Sequence, residues 1–188
     1  MISSYYEENC NLKIGNLIMK KIVHAVFLIF LFASPTLAAL NLNESAPVFS
    51  LSDSSGNDFY LSDAVGAKRK KNGHGIVLSF FASWCVPCRN ELPLLNSFVD
   101  ELRNTGITVV LVDVKEDFGT VSALLTKLKV DKPIVLSDRD GKTSEKYQIR
   151  FLPTTFFIDA GGKVRDVIYG GINGEKELRE SVQKLLKE

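Results

Sequence analysis

The sequence predicts an α/β domain with a mixed, mostly parallel central sheet and helices on both faces. Three observations predict it. Two six-residue apolar runs, 76–81 and 107–112, suit strands buried on both faces. Each is followed by a stretch with helical spacing of apolar residues. Near the end, 154–159 and 164–169 flank Ala160-Gly161-Gly162 as the arms of a hairpin, and a last amphipathic stretch follows. Strands alternating with helices give parallel pairing, and a closing hairpin adds antiparallel strands.

The 188 residues are 45% hydrophobic and 24% charged, which fits one globular domain after a leader is set aside. Met19-Lys20-Lys21 opens a basic patch, 22–33 is an almost unbroken apolar run, and small residues at Thr36 and Ala38 follow. These are the three regions of a secretory signal peptide, with cleavage expected after Ala38. The apolar run is short for a membrane span, which takes about 20 residues. It would act as a tether only if left uncleaved. Residues 1–18 are polar and include Glu7 and Glu8, so translation is expected to begin at Met19 and Cys10 to be absent from the mature protein. The organisation expected is thus 1–18 as an upstream mis-start, 19–38 as signal peptide and 39–188 as the folded domain.

Residues 1–38 carry Lys13, Lys20, Lys21, Glu7 and Glu8, so the remainder holds 20 basic and 20 acidic residues. A balanced chain argues against nucleic acid or an anionic membrane as partner. Export places the protein in an oxidising compartment, periplasmic or otherwise outside the cytoplasm, where paired cysteines are read for disulfide chemistry.

In chain order, 46–51 reads as a short strand with Pro47 at its edge, 53–57 as a turn, 59–61 as extended and 62–65 as a brief helix ending near Gly66. Residues 68–75 form a basic loop holding His74, which has no cluster of ligand types around it. The first buried strand is followed by Trp84-Cys85-Val86-Pro87-Cys88-Arg89 and then by apolar residues at Leu92, Leu95, Phe98, Val99 and Leu102, one helical face. Gly106 marks the turn into the second buried strand. Val121, Leu124, Leu125 and Leu128 give an amphipathic helix over 118–128, 133–136 a strand, 143–147 a short helix, and 174–186 the closing helix.

The two cysteines therefore stand at the junction of a central strand and a helix. A thiolate is the nucleophile in thiol chemistry, and a helix start stabilises it through unpaired N–H groups and the positive end of the dipole. Cys85 is expected just before the helix, exposed, as attacking nucleophile. Cys88 is expected one turn in, more buried, as resolving thiol. Pro87 suits a first turn because its missing N–H has no partner there. Half of a zinc site is disfavoured, since tetrahedral zinc takes four ligands and the mature chain adds only His74. A purely structural bridge would close so short a loop that it removes little unfolded-state entropy.

The chain resembles the thioredoxin fold and, within it, the exported TlpA/ResA-like thiol-disulfide oxidoreductases. The matching stretches are Phe80-Phe81-Ala82-Ser83-Trp84-Cys85-Val86-Pro87-Cys88-Arg89-Asn90-Glu91-Leu92-Pro93 and Phe151-Leu152-Pro153-Thr154-Thr155-Phe156-Phe157-Ile158-Asp159. The resemblance implies a thioredoxin-like sheet with an N-terminal strand extension from Ala46-Pro47-Val48-Phe49 and a central helix–strand insertion between about residues 117 and 136. It implies a cis peptide before Pro153, facing the cysteines, and a Leu152 backbone that receives a substrate strand by strand addition. Trp84 matches the aromatic flanking the nucleophile, and Pro93 a proline inside the motif helix. Glu91 matches an acid that influences thiol titration in the ResA-like branch. Thioredoxins proper carry a buried aspartate six residues before the first cysteine, and here that position is Ser79.

The reaction implied is dithiol–disulfide exchange through Cys85 and Cys88, needing no cofactor and no metal. The resemblance points to a reductase of exported, disulfide-containing proteins, such as apocytochrome c during cytochrome c maturation, with a membrane thiol transporter as electron donor. Two alternatives are a copper metallochaperone of oxidase assembly and a peroxiredoxin-like peroxidase. Soft thiolates favour Cu(I), but the mature chain has no methionine. The peroxidase Pro-x-x-x-Thr-x-x-Cys pattern is missing, with Trp84 four positions before Cys88.

Overall fold

The computed structural model describes residues 40–68 and 73–187. The expected start at Met19, the signal peptide, Cys10 and the middle of the basic loop lie outside the described residues. Among the described residues no helix is long and apolar enough to cross a membrane.

Among the described residues seven strands and five helices follow in the order β1 (Ser50–Ser52), β2 (Asp58–Tyr60), α1 (Leu61–Ala64), β3 (Gly75–Phe81), α2 (Val86–Asn104), β4 (Ile107–Val114), α3 (Phe118–Leu128), β5 (Ile134–Asp138), α4 (Lys142–Lys146), β6 (Thr154–Asp159), β7 (Val164–Tyr169) and α5 (Glu175–Leu186). Five strands form one sheet in the order β5-β4-β3-β6-β7, and β1 and β2 pair separately as an antiparallel hairpin. β3 runs parallel to β4 and antiparallel to β6, so the mixed sheet predicted from the sequence is the one observed. The N-terminal strand begins at Ser50 rather than Ala46. Pro47 has no N–H to give a ladder, and ahead of it the chain meets the β6–β7 hairpin over residues 43–46, through the Ser45–Lys163 bridge and the amides of Asn43 and Ala46 on Val164 O and Gly162 O. Leu61 opens α1 instead of extending β2, because its side chain turns into the core.

β3 is central, and all seven of its residues are buried. Its alternating side chains feed two cores. Val77 and Phe81 pack with Leu92, Leu95 and Phe98 of α2, Val121 of α3, and Leu178 and Leu185 of α5. Ile76, Leu78 and Phe80 pack on the other face with Phe49, Leu61 and Tyr147. Phe80, Tyr147 and Phe156 meet there with ring centroids 5.1–5.9 Å apart, a spacing at which edge and tilted aromatic contacts are favourable.

Gly75 begins β3 at φ +153°, where a Cβ would stand 2.3 Å from Ile158 O and 2.4 Å from Leu185 Cδ2. Backbone cannot yield there as a flexible side chain would. Gly75→Ala is expected to destabilise the domain by roughly 2–3 kcal/mol, the upper part of the range for overpacking. Urea unfolding checks this; a loss below about 0.5 kcal/mol, ordinary for an innocuous surface change, would contradict it.

The loop between β4 and α3 is fixed at the helix start. Asp117 caps α3, accepting from the amides of Gly119 and Thr120. At the other end Lys129 closes the helix in the left-handed conformation, and the Asn96 side chain of α2 binds Lys129 O and the amides of Asp131 and Lys132. These contacts hold α2 against the inserted helix and strand.

Candidate active site

The carboxyl end of β3 delivers the chain through Ala82, Ser83 and Trp84 to Cys85, the N-cap of α2. Pro87 falls in the first turn, as its missing N–H favours. Cys85 and Cys88 form a disulfide with Cα atoms 5.3 Å apart. Cys85 Sγ also accepts a hydrogen bond from the Cys88 amide at 3.2 Å. That amide is one of the orphan donors of the first turn, so the helix start points a donor at the sulfur that would carry charge on reduction.

Cys85 is only 4% exposed, not open to solvent as its place before the helix predicts. The sulfur is turned inward by its bond to Cys88, which is fully buried, and by the amide it caps. What stands exposed is the rim. Trp84 is 67% exposed, Val86 65% and Phe151 67%, three large apolar side chains left in water. α2 continues unbroken to Asn104 through Pro93, whose ring removes one helical hydrogen bond.

Leu152–Pro153 is a cis peptide. Its neighbours come from the far end of the chain. The Gly170 amide donates to Pro153 O at 2.9 Å, and Gly171, at φ +110°, leaves room beside Pro153, Glu91 and Pro87. A Cβ at Gly171 would stand 3.6 Å from the Pro153 ring and 3.8 Å from Glu91 Oε2.

Glu91 is 2% exposed, so it is no solvated surface glutamate. Its Oε1 accepts from Ser79 Oγ at 2.7 Å and Thr155 Oγ1 at 2.8 Å, and its Oε2 accepts from the Ile172 amide at 2.9 Å. Ser79 thus serves Glu91 as a donor, and the acid at this point comes from α2 rather than from β3. Thr155, Ile172, Gly171 and Phe151 were not expected as parts of the site. Thr155 and Phe151 lie inside the stretch that carries the family resemblance, and Gly170-Gly171 was visible only as a strand break. On the opposite side, Glu116 holds the loop before Cys85, accepting from the Ser83 amide and Ser83 Oγ, both at 2.5 Å. Arg89 Nε donates to Ser83 O at 3.0 Å. His74 is exposed in its loop, its amide bonded to Gly106 O.

Two half-cystines at a helix start beside a cis-proline loop are equipped for thiol–disulfide exchange, and the chain is similar to proteins named for that chemistry. The chain is 33% identical over 147 residues to the thiol-disulfide oxidoreductase ResA of Geobacillus thermodenitrificans, covering 77% of this chain and 80% of the relative. It is 33% identical over 132 residues to ResA of Bacillus subtilis, covering 70% of this chain and 69% of the relative. Residues 42–167 match the AhpC/TSA family. The chain belongs to the AhpC/TSA family, on its ResA-like thiol-disulfide oxidoreductase branch. Among solved structures, one of a thiol:disulfide interchange protein DsbE from Chlorobium tepidum superposes with a TM-score of 0.69 at 30% identity, covering 79% of this chain and 99% of that one. The thioredoxin-like architecture and the enzyme class, a protein disulfide reductase of this branch, follow from these matches.

Proposed function

We propose that the protein reduces disulfides of exported partners, apocytochrome c cysteines foremost, with Cys85 as attacking nucleophile and Cys88 as resolving thiol. The observation that carries the reading is the Cys85–Cys88 pair at the start of α2, with the Cys88 amide on Cys85 Sγ and the cis Leu152–Pro153 loop close by. In the reduced enzyme the Cys85 thiolate attacks one sulfur of the partner disulfide, and the other partner sulfur leaves as thiolate and takes a proton. Cys88, once deprotonated, attacks Cys85 Sγ, which releases the second partner thiol and restores the Cys85–Cys88 disulfide. Two electrons pass from the enzyme to the partner, and a donor dithiol, supplied by a membrane thiol transporter, returns them.

The backbone of Leu152 receives an extended segment of the partner by strand addition, and Trp84, Val86 and Phe151 give its side chains an apolar surface. Pro87 and Pro153 shape the two walls beside the sulfurs, and Glu91 ties α2 to β3, β6 and the segment after β7.

Cys88→Ala removes the resolving thiol, so mixed disulfides with Cys85 are expected to accumulate. Trapped apocytochrome c polypeptides, identified by mass spectrometry after non-reducing separation, would support the reading. A trapped set lacking them would overturn the substrate assignment. Tight Cu(I) binding by the reduced protein with no trapped partner would favour a metallochaperone. The reduction potential supplies the direction: a value near about −120 mV, that of a strong oxidant, would contradict the reductase.

A further inference from the structure

β4 is apolar from Ile107 to Val112 except for Thr108, and then carries an acid, Asp113, paired in register with Phe81 at the end of β3. Strand alternation puts Asp113 on the face of Val109 and Leu111, which is the face covered by α2 and α3. Asp113 is 0% exposed, and neither of its carboxyl oxygens meets an N–H or O–H donor. The side chain it does meet is another acid, Glu116. Two carboxylates cannot hydrogen bond to each other, since neither has a donor, so one of the pair must carry a proton. Both Glu116 oxygens already accept from Ser83. Asp113 is the member of the pair that no other donor reaches.

We propose that Asp113 and Glu116 form an acid–carboxylate pair beneath the 82–85 loop, and that the charge on this pair controls thiolate formation at Cys85. The pair is tied directly to that loop, because Ser83, held by Glu116 through both its amide and its hydroxyl, stands two residues before Cys85. With Asp113 protonated the pair carries one negative charge. Loss of that proton adds a second, on a side chain that is itself fully buried, and a nearby negative charge disfavours the thiolate. Asp113 acts through Glu116 and the loop and touches no reacting atom.

Glu116 and Asp117 follow β4, and Asp138 lies at the end of β5; all three push Asp113 in the same direction as its burial, up to about 7. Asp138 is itself engaged by the amides of Thr143 and Ser144. From α2, packed over the same face, the titratable or charged groups of the first turns are Cys88, Arg89 and Glu91. Arg89 is committed to Ser83 O, and Glu91 to Ser79, Thr155 and Ile172. β3 adds no titratable group. A folded-state value above the unfolded one means that the folded protein binds the extra proton. Stability from this group is full below about pH 4 and is lost as pH rises through about 7.

The test is the rate of iodoacetamide alkylation of the reduced protein, read at the Cys85 peptide by mass spectrometry between about pH 5 and pH 9, a range spanning the ionisations in question. It needs no partner protein, so its outcome is independent of the substrate proposed above. The wild-type profile is expected to bend near neutrality. In Asp113→Asn the profile follows the ionisation of the Cys85 thiol alone, and alkylation above neutrality is about three- to tenfold faster, as expected for one negative charge removed. The melting temperature of the wild type should also fall between about pH 5 and pH 8 relative to Asp113→Asn. Superimposable profiles for the two proteins would overturn the proposal. Should Asp113→Asn fail to fold, carbon-13 NMR titration of the Asp113 carboxyl in the wild type decides: titration near neutrality upholds the pair, and titration in the ordinary carboxylate range sinks it.

Discussion

Cys85→Ser is expected to lower disulfide reduction by about a thousandfold or more, the scale on which losing a nucleophile acts in enzymes that form covalent intermediates. A serine hydroxyl is not appreciably ionised at neutral pH, and among the described residues the one other sulfur, that of Cys88, is fully buried within α2. The loss would not come from unfolding. The bridge closes a loop with a sequence separation of only three, so its removal costs about 2 kcal/mol on the chain-entropy account. Insulin reduction and a thermal melt of the same preparation separate the two effects. Activity within tenfold of wild type would move the chemistry away from Cys85.

Glu91 gives the second large effect, and a pair of substitutions divides its two contributions. Glu91→Leu leaves the Ile172 amide and the hydroxyls of Ser79 and Thr155 without their acceptor in a site closed to water. An orphaned buried polar group costs about 1–3 kcal/mol, and hydroxyls can turn to recover part of it. A loss of roughly 3 kcal/mol is expected, read by urea unfolding. Glu91→Gln should behave differently. Its amide oxygen can accept from the Ile172 amide, while its NH2 donates to the two hydroxyls, which accept as readily as they donate. The loss should stay within about 1 kcal/mol, so any larger change in thiol reactivity in Glu91→Gln reports the carboxylate charge. Equal destabilisation by Leu and Gln would show that these hydrogen bonds do not set the role of Glu91.

Much of this site is local and so was legible early. A helix beginning at Cys85 needs only the apolar run of β3, Pro87 in the first turn and the i, i+3, i+4 spacing from Leu92 onward. These are properties of neighbouring residues. The hairpin of β6 and β7 was equally clear, because Ala160-Gly161-Gly162 interrupts two strand-like runs. Burial of individual groups was not legible. Cys85 follows an exposed Trp84 and precedes an exposed Val86, and sequence position alone placed it in water. Its bond to Cys88 and its capped amide turn it inward.

By itself the sequence determined the order of strands and helices, the placement of two thiols at a helix start, and the family to which they belong. Tertiary structure decided what surrounds those thiols. Glu91 is satisfied by residues 12 positions before it and 64 and 81 after it, and Glu116 grips Ser83 across 33 positions. Asp113 meets an acid only three residues away, but parallel pairing of β4 beside β3 is what buries it. Hydrogen bonding and desolvation act through distance in space, and the sheet sets that distance. The pattern of apolar residues can announce the sheet, but only the folded register shows which polar groups it has shut away from water together.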